Sequence, residues 1–254
     1  SPNLRRELTQ IVGPTGVITT PEGRLTYECD MHTFYKGAPD AVVLPTSTAQ
    51  VAEVVRLCLK HGTPVVPRGS GTGLIGGAMA PQGGVMISTT RMTRILEADL
   101  PNRCATVEAG VINLWLTNAV RERGYFFAPD PSSQMVSSIG GNCATNAGGP
   151  HCLKYGITVN HVLGLEVVTG AGELVRVGGK VQETPGYDLT GVMVGSEGTL
   201  GVITAVTVRL LHLPEAVKTI LAVFADIEDA SEAVSSIIAA GIIPAALELM
   251  DEPV

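Results

Sequence analysis

The chain has 254 residues, 45% hydrophobic and 16% charged, which is apolar enough for one large or two medium domains and excludes a disordered chain. A net charge of −7, a pI near 5.2 and 4% aromatics argue against a nucleic-acid partner, which needs clustered Lys and Arg or a stacking platform. The five cysteines include no C-x-x-C pair, so neither a disulfide framework nor a metal cluster is indicated, and no apolar run approaches the ~20 residues of a membrane helix.

Residues 1–37 read as an N-terminal arm. Leu4, Leu8, Ile11 and Val12 mark one amphipathic helix that stops at Gly13-Pro14. Arg5, Arg6 and Glu7 break up any signal-like run, and the expected setting is reducing and cytoplasmic. Cys29 and His32 are two potential ligands at a spacing common by chance, too little for a metal site. Residues 41–44 predict a buried strand. Ser47 and Gln50 have capping-box spacing, and Val51, Val54, Val55 and Cys58 follow on one helical face until His61-Gly62. Val65-Val66 predicts the next strand.

That strand delivers a loop, residues 67–77, with five glycines in eleven positions. Such a chain turns tightly and presents bare N–H groups, the raw material of an anion site. Gly71-x-Gly73-x-x-Gly76 matches the letters of the dinucleotide fingerprint. That fingerprint needs a helix at its third glycine, whereas Gly77, Pro81, Gly83 and Gly84 follow here. Phosphate binding in a non-Rossmann context is expected. Residues 85–88 and 94–98 then predict strands of one small mixed sheet.

A second unit opens with a strand at 105–107 and a helix at 112–123, with Leu114, Trp115, Ala119 and Val120 apolar and Gly124 as its stop. Ala128-Pro-Asp-Pro-Ser-Ser forms a rigid turn. Residues 137–149 are small, polar and glycine-rich, a stretch fitted either to a ligand or to tight internal packing. Residues 162–169 and 173–177 predict a hairpin tipped by Gly170-Ala-Gly172, followed by a Ser196-Glu197-Gly198 turn and a strand at 202–211. Beyond Pro214 come a strand at 219–224, a helix capped by Asp226 and ended by Gly241, and a strand at 245–249. We expect 213–254 to open a further domain whose remainder lies outside this sequence.

Six segments occur together and in order: residues 67–77, 128–134, 138–142, 146–149, 151–156 and 195–203. This series resembles the FAD-binding domain of the vanillyl-alcohol oxidase (PCMH) type. Within it the chain looks most like the D subunit of bacterial glycolate oxidase and related D-2-hydroxyacid dehydrogenases. The resemblance implies an α+β fold with two subdomains, about 38–100 and 101–212, and the start of a C-terminal substrate (cap) domain at 213–254. It implies FAD held by Pro67, Arg68, Gly69, Ser70, Gly71, Thr72, Gly73, Gly76 and Gly77, which would wrap the diphosphate. Pro129, Asp130, Ser133, Ser137, Ile139, Gly140 and Gly141 would line flavin and diphosphate, and Asn146, Ala147, Gly148, Gly149, Gly156, Gly201, Val202 and Ile203 would complete the pocket. Some relatives bond flavin covalently through a histidine in the first loop. Gly71-Thr72-Gly73 has none, so FAD is expected without a covalent link.

The resemblance further implies oxidation of a small 2-hydroxy acid, glycolate or D-lactate, with electrons passed to an iron–sulfur subunit and a second flavin-fold subunit. Those partners would place the protein at most peripherally at the inner membrane. No catalytic residue is assigned. His151 is the local candidate, with packing at the cofactor edge as the competing reading, and the family's substrate-side groups fall beyond Val254. The 254-residue chain alone is expected to bind FAD but to turn over poorly. Two rivals stay open: a non-catalytic flavin-fold scaffold subunit, and an NADPH-dependent flavin reductase on the same fold.

Overall fold

The computed structural model describes residues 2–181 and 186–251. The outer ends of the expected arm and of the expected C-terminal unit, Ser1 and residues 252–254, lie outside it, as do residues 182–185. The described part is built on two β-sheets, each with its own core.

The first sheet contains β1 (Val17–Ile18), β2 (Ala41–Val43), β3 (Val65–Arg68) and β4 (Val85–Ser88) in the order β1-β2-β4-β3. β2, β4 and β3 run parallel, and β1 is antiparallel to β2. A two-residue turn cannot join parallel strands, so helix α3 (Thr48–Lys60) carries the chain from β2 to β3. Ser47 caps it by accepting the Gln50 N–H at 3.3 Å. The expected box does not close, because the Gln50 side chain is used elsewhere. Its Oε1 accepts the Thr46 N–H at 2.8 Å, and its Nε2 donates to the Ile11 carbonyl at 3.0 Å.

That last bond ties α3 to the end of α1 (Pro2–Val12). Leu4, Leu8 and Val12 are buried in one core with Val51, Val54 and Ile87. The segment read as an arm is therefore part of the first core, and truncating fully buried Leu8 to Ala should cost ~2–5 kcal/mol. Helix α2 (Pro21–Leu25) follows β1 and is capped by Thr20.

The second sheet is wholly antiparallel, in the order β5-β6-β10-β8-β9. Its strands are β5 (Ile95–Asp99), β6 (Cys104–Glu108), β8 (Val162–Val168), β9 (Leu174–Gly178) and β10 (Val202–Arg209). β5 pairs with β6 and not with β4. Residues 94–98 therefore leave the first sheet they were expected to join, and the division between the layers falls before Ile95. Lys180, just past β9, reaches Glu97 at 2.6 Å and Asp99 at 2.9 Å on β5, the opposite edge strand.

Helix α4 (Asn113–Arg121) buries Asn113, Leu116, Thr117 and Val120, while Trp115 and Ala119 face solvent. The expected face was rotated because polar Asn113 and Thr117 point inward. They have partners there: Asn113 donates to the Pro129 carbonyl at 2.9 Å, and Thr117 accepts the Phe127 N–H at 3.1 Å. A small ladder joins β7 (Tyr125–Phe126) to β11 (Leu211–His212).

Residues 139–145, inside the small, glycine-rich stretch at 137–149, form helix α5 (Ile139–Thr145). Helix propensity argues against it, but tertiary contacts decide. Ser138 caps it, Ile139 and Cys143 are fully buried in the second core, and a Cβ on Gly140 would stand 2.9 Å from the Ala109 carbonyl oxygen. Two short helices, α6 (Cys152–Tyr155) and α7 (Leu189–Met193), follow.

Among the described residues beyond Leu213 only α8 (Ile227–Ala239) is regular, capped by Asp226 as expected. Residues 219–224 and 245–249 form no strands. A strand needs a neighbour for its main-chain groups, and no described segment pairs with them. Among the described residues no helix is long and apolar enough to cross a membrane.

Candidate functional site

The two layers meet where parallel strands β3 and β4 end at their carboxyl termini, the usual location of ligands in such sheets. A small, solvent-open cleft lies there. Pro67, Arg68 and Gly69 from β3 and its loop face Gly140 and Gly141 of α5 and Gly201, Val202 and Ile203 at the start of β10. These sequence-predicted residues, from three distant segments, are brought together. Thr89, Ala109, Ala144, Glu197 and Gly198 complete the lining. Sequence reading missed them because most contribute little more than main chain, although Glu197-Gly198 had been noted as a turn. No His or Cys lines this cleft.

The loop past Gly69 has an unusual hydrogen-bond inventory. The six main-chain N–H groups from Ser70 to Ile75 donate to no acceptor among the described residues. Unpaired main-chain donors are rare unless water or a ligand takes them. No helix follows Gly76, so the Rossmann exclusion holds. Arg68 is 8% exposed and lies directly under Gly71. Its guanidinium donates to the carbonyls of Ala78 at 2.7 Å and Cys29 at 2.9 Å. It is thus not a free phosphate fork. Burial lowers its pKa, opposed chiefly by Asp30, and its positive charge lies against Gly71 of the loop.

Ile139 and Gly140 also have a structural part. Their N–H groups donate inward to the Val111 and Ala109 carbonyls, each at 2.8 Å, and seat α5 against the sheet. Beside them Ser137 Oγ and Asn142 Nδ2 are buried without a hydrogen-bond partner.

The remaining predicted residues build a second corner that does not line this cleft. Asn146 ends α5 in a left-handed conformation, and its Oδ1 accepts the Val159 N–H at 2.9 Å. The Ala147 carbonyl accepts Thr158 Oγ1–H at 2.7 Å. Gly148 stands against Cys152, whose Sγ accepts the Gly149 N–H at 3.0 Å. Gly156 closes α6. Pro129 accepts Asn113, and the Ser133 carbonyl accepts the Ser137 N–H at 2.7 Å. Asp130 binds His151 twice, through Nδ1 and through the main-chain N–H at 3.3 Å.

The comparisons with known proteins agree with this architecture. Residues 39–178 match the FAD binding domain family, and residues 213–254 match the C-terminal domain of FAD linked oxidases. The chain is 46% identical to glycolate oxidase subunit GlcD of Bacillus subtilis over 99% of its own length and 54% of that protein. It is 39% identical to a D-lactate dehydrogenase of Anaerostipes hadrus over 89% of its length and 47% of that protein. Among solved structures, alkyldihydroxyacetonephosphate synthase superposes with a TM-score of 0.83 at 25% identity, covering 96% of this chain and 50% of that one. The chain spans about half the length of the curated relatives it matches.

The chain belongs to the FAD binding domain family, and its cofactor is FAD. The site fits that group. Free N–H groups over a buried cation suit a diphosphate, and the bare surface of Gly141 and Gly201 permits close approach.

Proposed function

We propose that this chain is the flavin-holding part of an oxidoreductase that converts a small 2-hydroxy acid, glycolate or D-lactate, to the 2-oxo acid. The observation that carries this reading is the convergence of Gly69, Gly141 and Gly201 on one cleft beside a loop of six unpaired N–H groups. The substrate class rests on the relatives named glycolate oxidase subunit and D-lactate dehydrogenase.

The loop from Ser70 to Ile75 would hold the diphosphate through its N–H groups, with Arg68 supplying positive charge from below. Glu197, on the cleft wall, would accept hydrogen bonds from hydroxyl groups rather than meet the phosphates, where like charges repel. Bound FAD supplies the hydride acceptor, which no side chain can provide. His151 is bound to Asp130 away from the cleft wall, and we assign it a structural role at that corner. We further read the site as non-covalent, since no Cys or His lines the cleft. The relatives named as subunits support work in an assembly, for which we propose an iron–sulfur protein and a second flavin-fold subunit.

The test is anaerobic addition of glycolate or D-lactate to the flavin-loaded protein, in the length its gene encodes, followed at the visible flavin band. Bleaching by either acid is expected. Bleaching by NADPH alone would replace this reading with a nicotinamide-dependent reductase, and a protein that takes up no FAD would be a scaffold.

A further inference from the structure

The glycine loop does not hold its own shape. It has five glycines, six unpaired N–H groups, and two apolar side chains, Leu74 and Ile75, that are 69% and 61% exposed. Ordering such a segment costs ~1–2 kcal/mol per residue in backbone entropy. Something outside the loop must offset that cost before a ligand arrives.

A strap from the N-terminal segment does so. Residues 26–32 lie against the loop and bond to it at Gly73 and Gly76. The Met31 N–H donates to the Gly73 carbonyl at 3.0 Å. The Asp30 carboxylate, 6% exposed, accepts the Gly76 N–H at 2.9 Å through Oδ2 and the His32 N–H at 2.8 Å through Oδ1. From below, Arg68 fixes Cys29 and Ala78, and its guanidinium lies over the Tyr27 ring at 5.6 Å. Asp30 thus binds both the strap and the loop, and the buried Arg68 charge compensates its own.

We infer that Asp30 is a positioning residue for the cofactor: it fixes the loop in the shape whose N–H groups receive the FAD diphosphate. The inference rests on the flavin reading above. Asp30 acts through Gly76 and Gly73, not by touching the cofactor. Its effect is therefore confined to ligands that carry a diphosphate.

The experiment compares wild type, Asp30→Ala and Asp30→Asn in the full chain, with FAD, ADP and riboflavin as probes. Amide exchange of the cofactor-free proteins is measured alongside. Asp30→Ala should weaken FAD and ADP by about the same factor, on the order of tenfold for the loss of two charge-assisted hydrogen bonds. Riboflavin binding should not change. Asp30→Asn, which keeps one acceptor, should fall between. Exchange at Met31 and Gly76, whose N–H groups make the two bonds between strap and loop, should quicken while β3 and β4 keep their protection. Where Asp30→Ala fails to fold, Asp30→Asn carries the same comparison.

Equal weakening of all three ligands would overturn the inference in favour of general loosening. Tighter FAD binding by Asp30→Asn would overturn it too, since only the charge would then matter. Should wild type take up no FAD, the functional reading falls separately. Exchange then decides the strap: faster exchange at Met31 and Gly76 upholds it, and unchanged exchange overturns it.

Discussion

Gly149 lies flat against the main chain of Asp130: a Cβ placed on it would overlap the Asp130 carbonyl oxygen and stand 2.6 Å from Oδ1. The corner that Asp130 and His151 close has no room for a methyl group. Gly149→Ala should therefore lower stability by ~1–3 kcal/mol, the usual cost of overpacking. Gly170, at the β8–β9 hairpin tip, has nothing within 4 Å of the same added atom and no positive φ, so Gly170→Ala should stay within ~0.5 kcal/mol of wild type. Urea unfolding of the pair checks this, and similar midpoints would show that the corner yields.

His161 gives the stability a pH dependence. It is 3% exposed, its Nε2 lies 2.8 Å from the Tyr155 carbonyl, and burial lowers its pKa. The folded state therefore favours the neutral ring. The corresponding stability is fully present above the unfolded value of ~6.5 and is lost as pH falls from there toward the depressed folded pKa. Thermal midpoints should drop from pH 7.5 to 5.5, and the drop should shrink in His161→Gln. An unaltered slope in the variant would assign the effect to other groups.

The five cysteines should divide by reactivity. Cys58, Cys104 and Cys143 are buried, and desolvation pushes the Cys58 thiol up to about 11 and the Cys143 thiol up to about 12. At pH 8 these sulfurs are protonated and shielded, and only the thiolate reacts. Ellman titration of native protein should report Cys29 and Cys152, with the other three appearing on unfolding. Rapid reaction of five thiols without denaturant would contradict the packing of α3 and α5.

We expect flavin to be held without a covalent bond, since Gly71-Thr72-Gly73 in the first loop offers no imidazole or thiol. Acid precipitation of the flavin-loaded protein should leave the yellow colour in the supernatant. Colour retained in the pellet would point to a covalent bond from elsewhere in the chain. The 254-residue chain on its own should bind FAD yet turn over glycolate and D-lactate poorly, and brisk turnover in a dye-reduction assay would refute that expectation.

Most strands and long helices were legible because their signals are local: the inward face of α3, the hairpin of β8 and β9, the caps Ser47 and Asp226. The failures share one cause, contacts made far away in sequence. Gly140 and Gly141 argue for coil until Ala109 and the second core supply the packing that winds α5. Ile95 looks like a continuation of the first sheet until β6 captures it. In the site, the glycine loop declared itself, with Arg68 among the residues expected to wrap the diphosphate. The carbonyls of Cys29 and Ala78 that its guanidinium also binds leave no mark in a sequence. Thr89 and Ala109 were invisible for the same reason.

The tether from Lys180 to Glu97 and Asp99 has a consequence for assembly. It is exposed, and pairs of this kind add little stability. Its hydrogen bonds, first with Asn102 and then with Lys180, nevertheless hold the Asp99 pKa down to about 2, so the carboxylate stays charged at any physiological pH. An incoming strand seeking the free side of β5 would meet fixed charge already engaged with the far end of the sheet, one of the ways proteins keep such borders from sticking to one another. A strand that would extend the sheet at this border is thereby disfavoured.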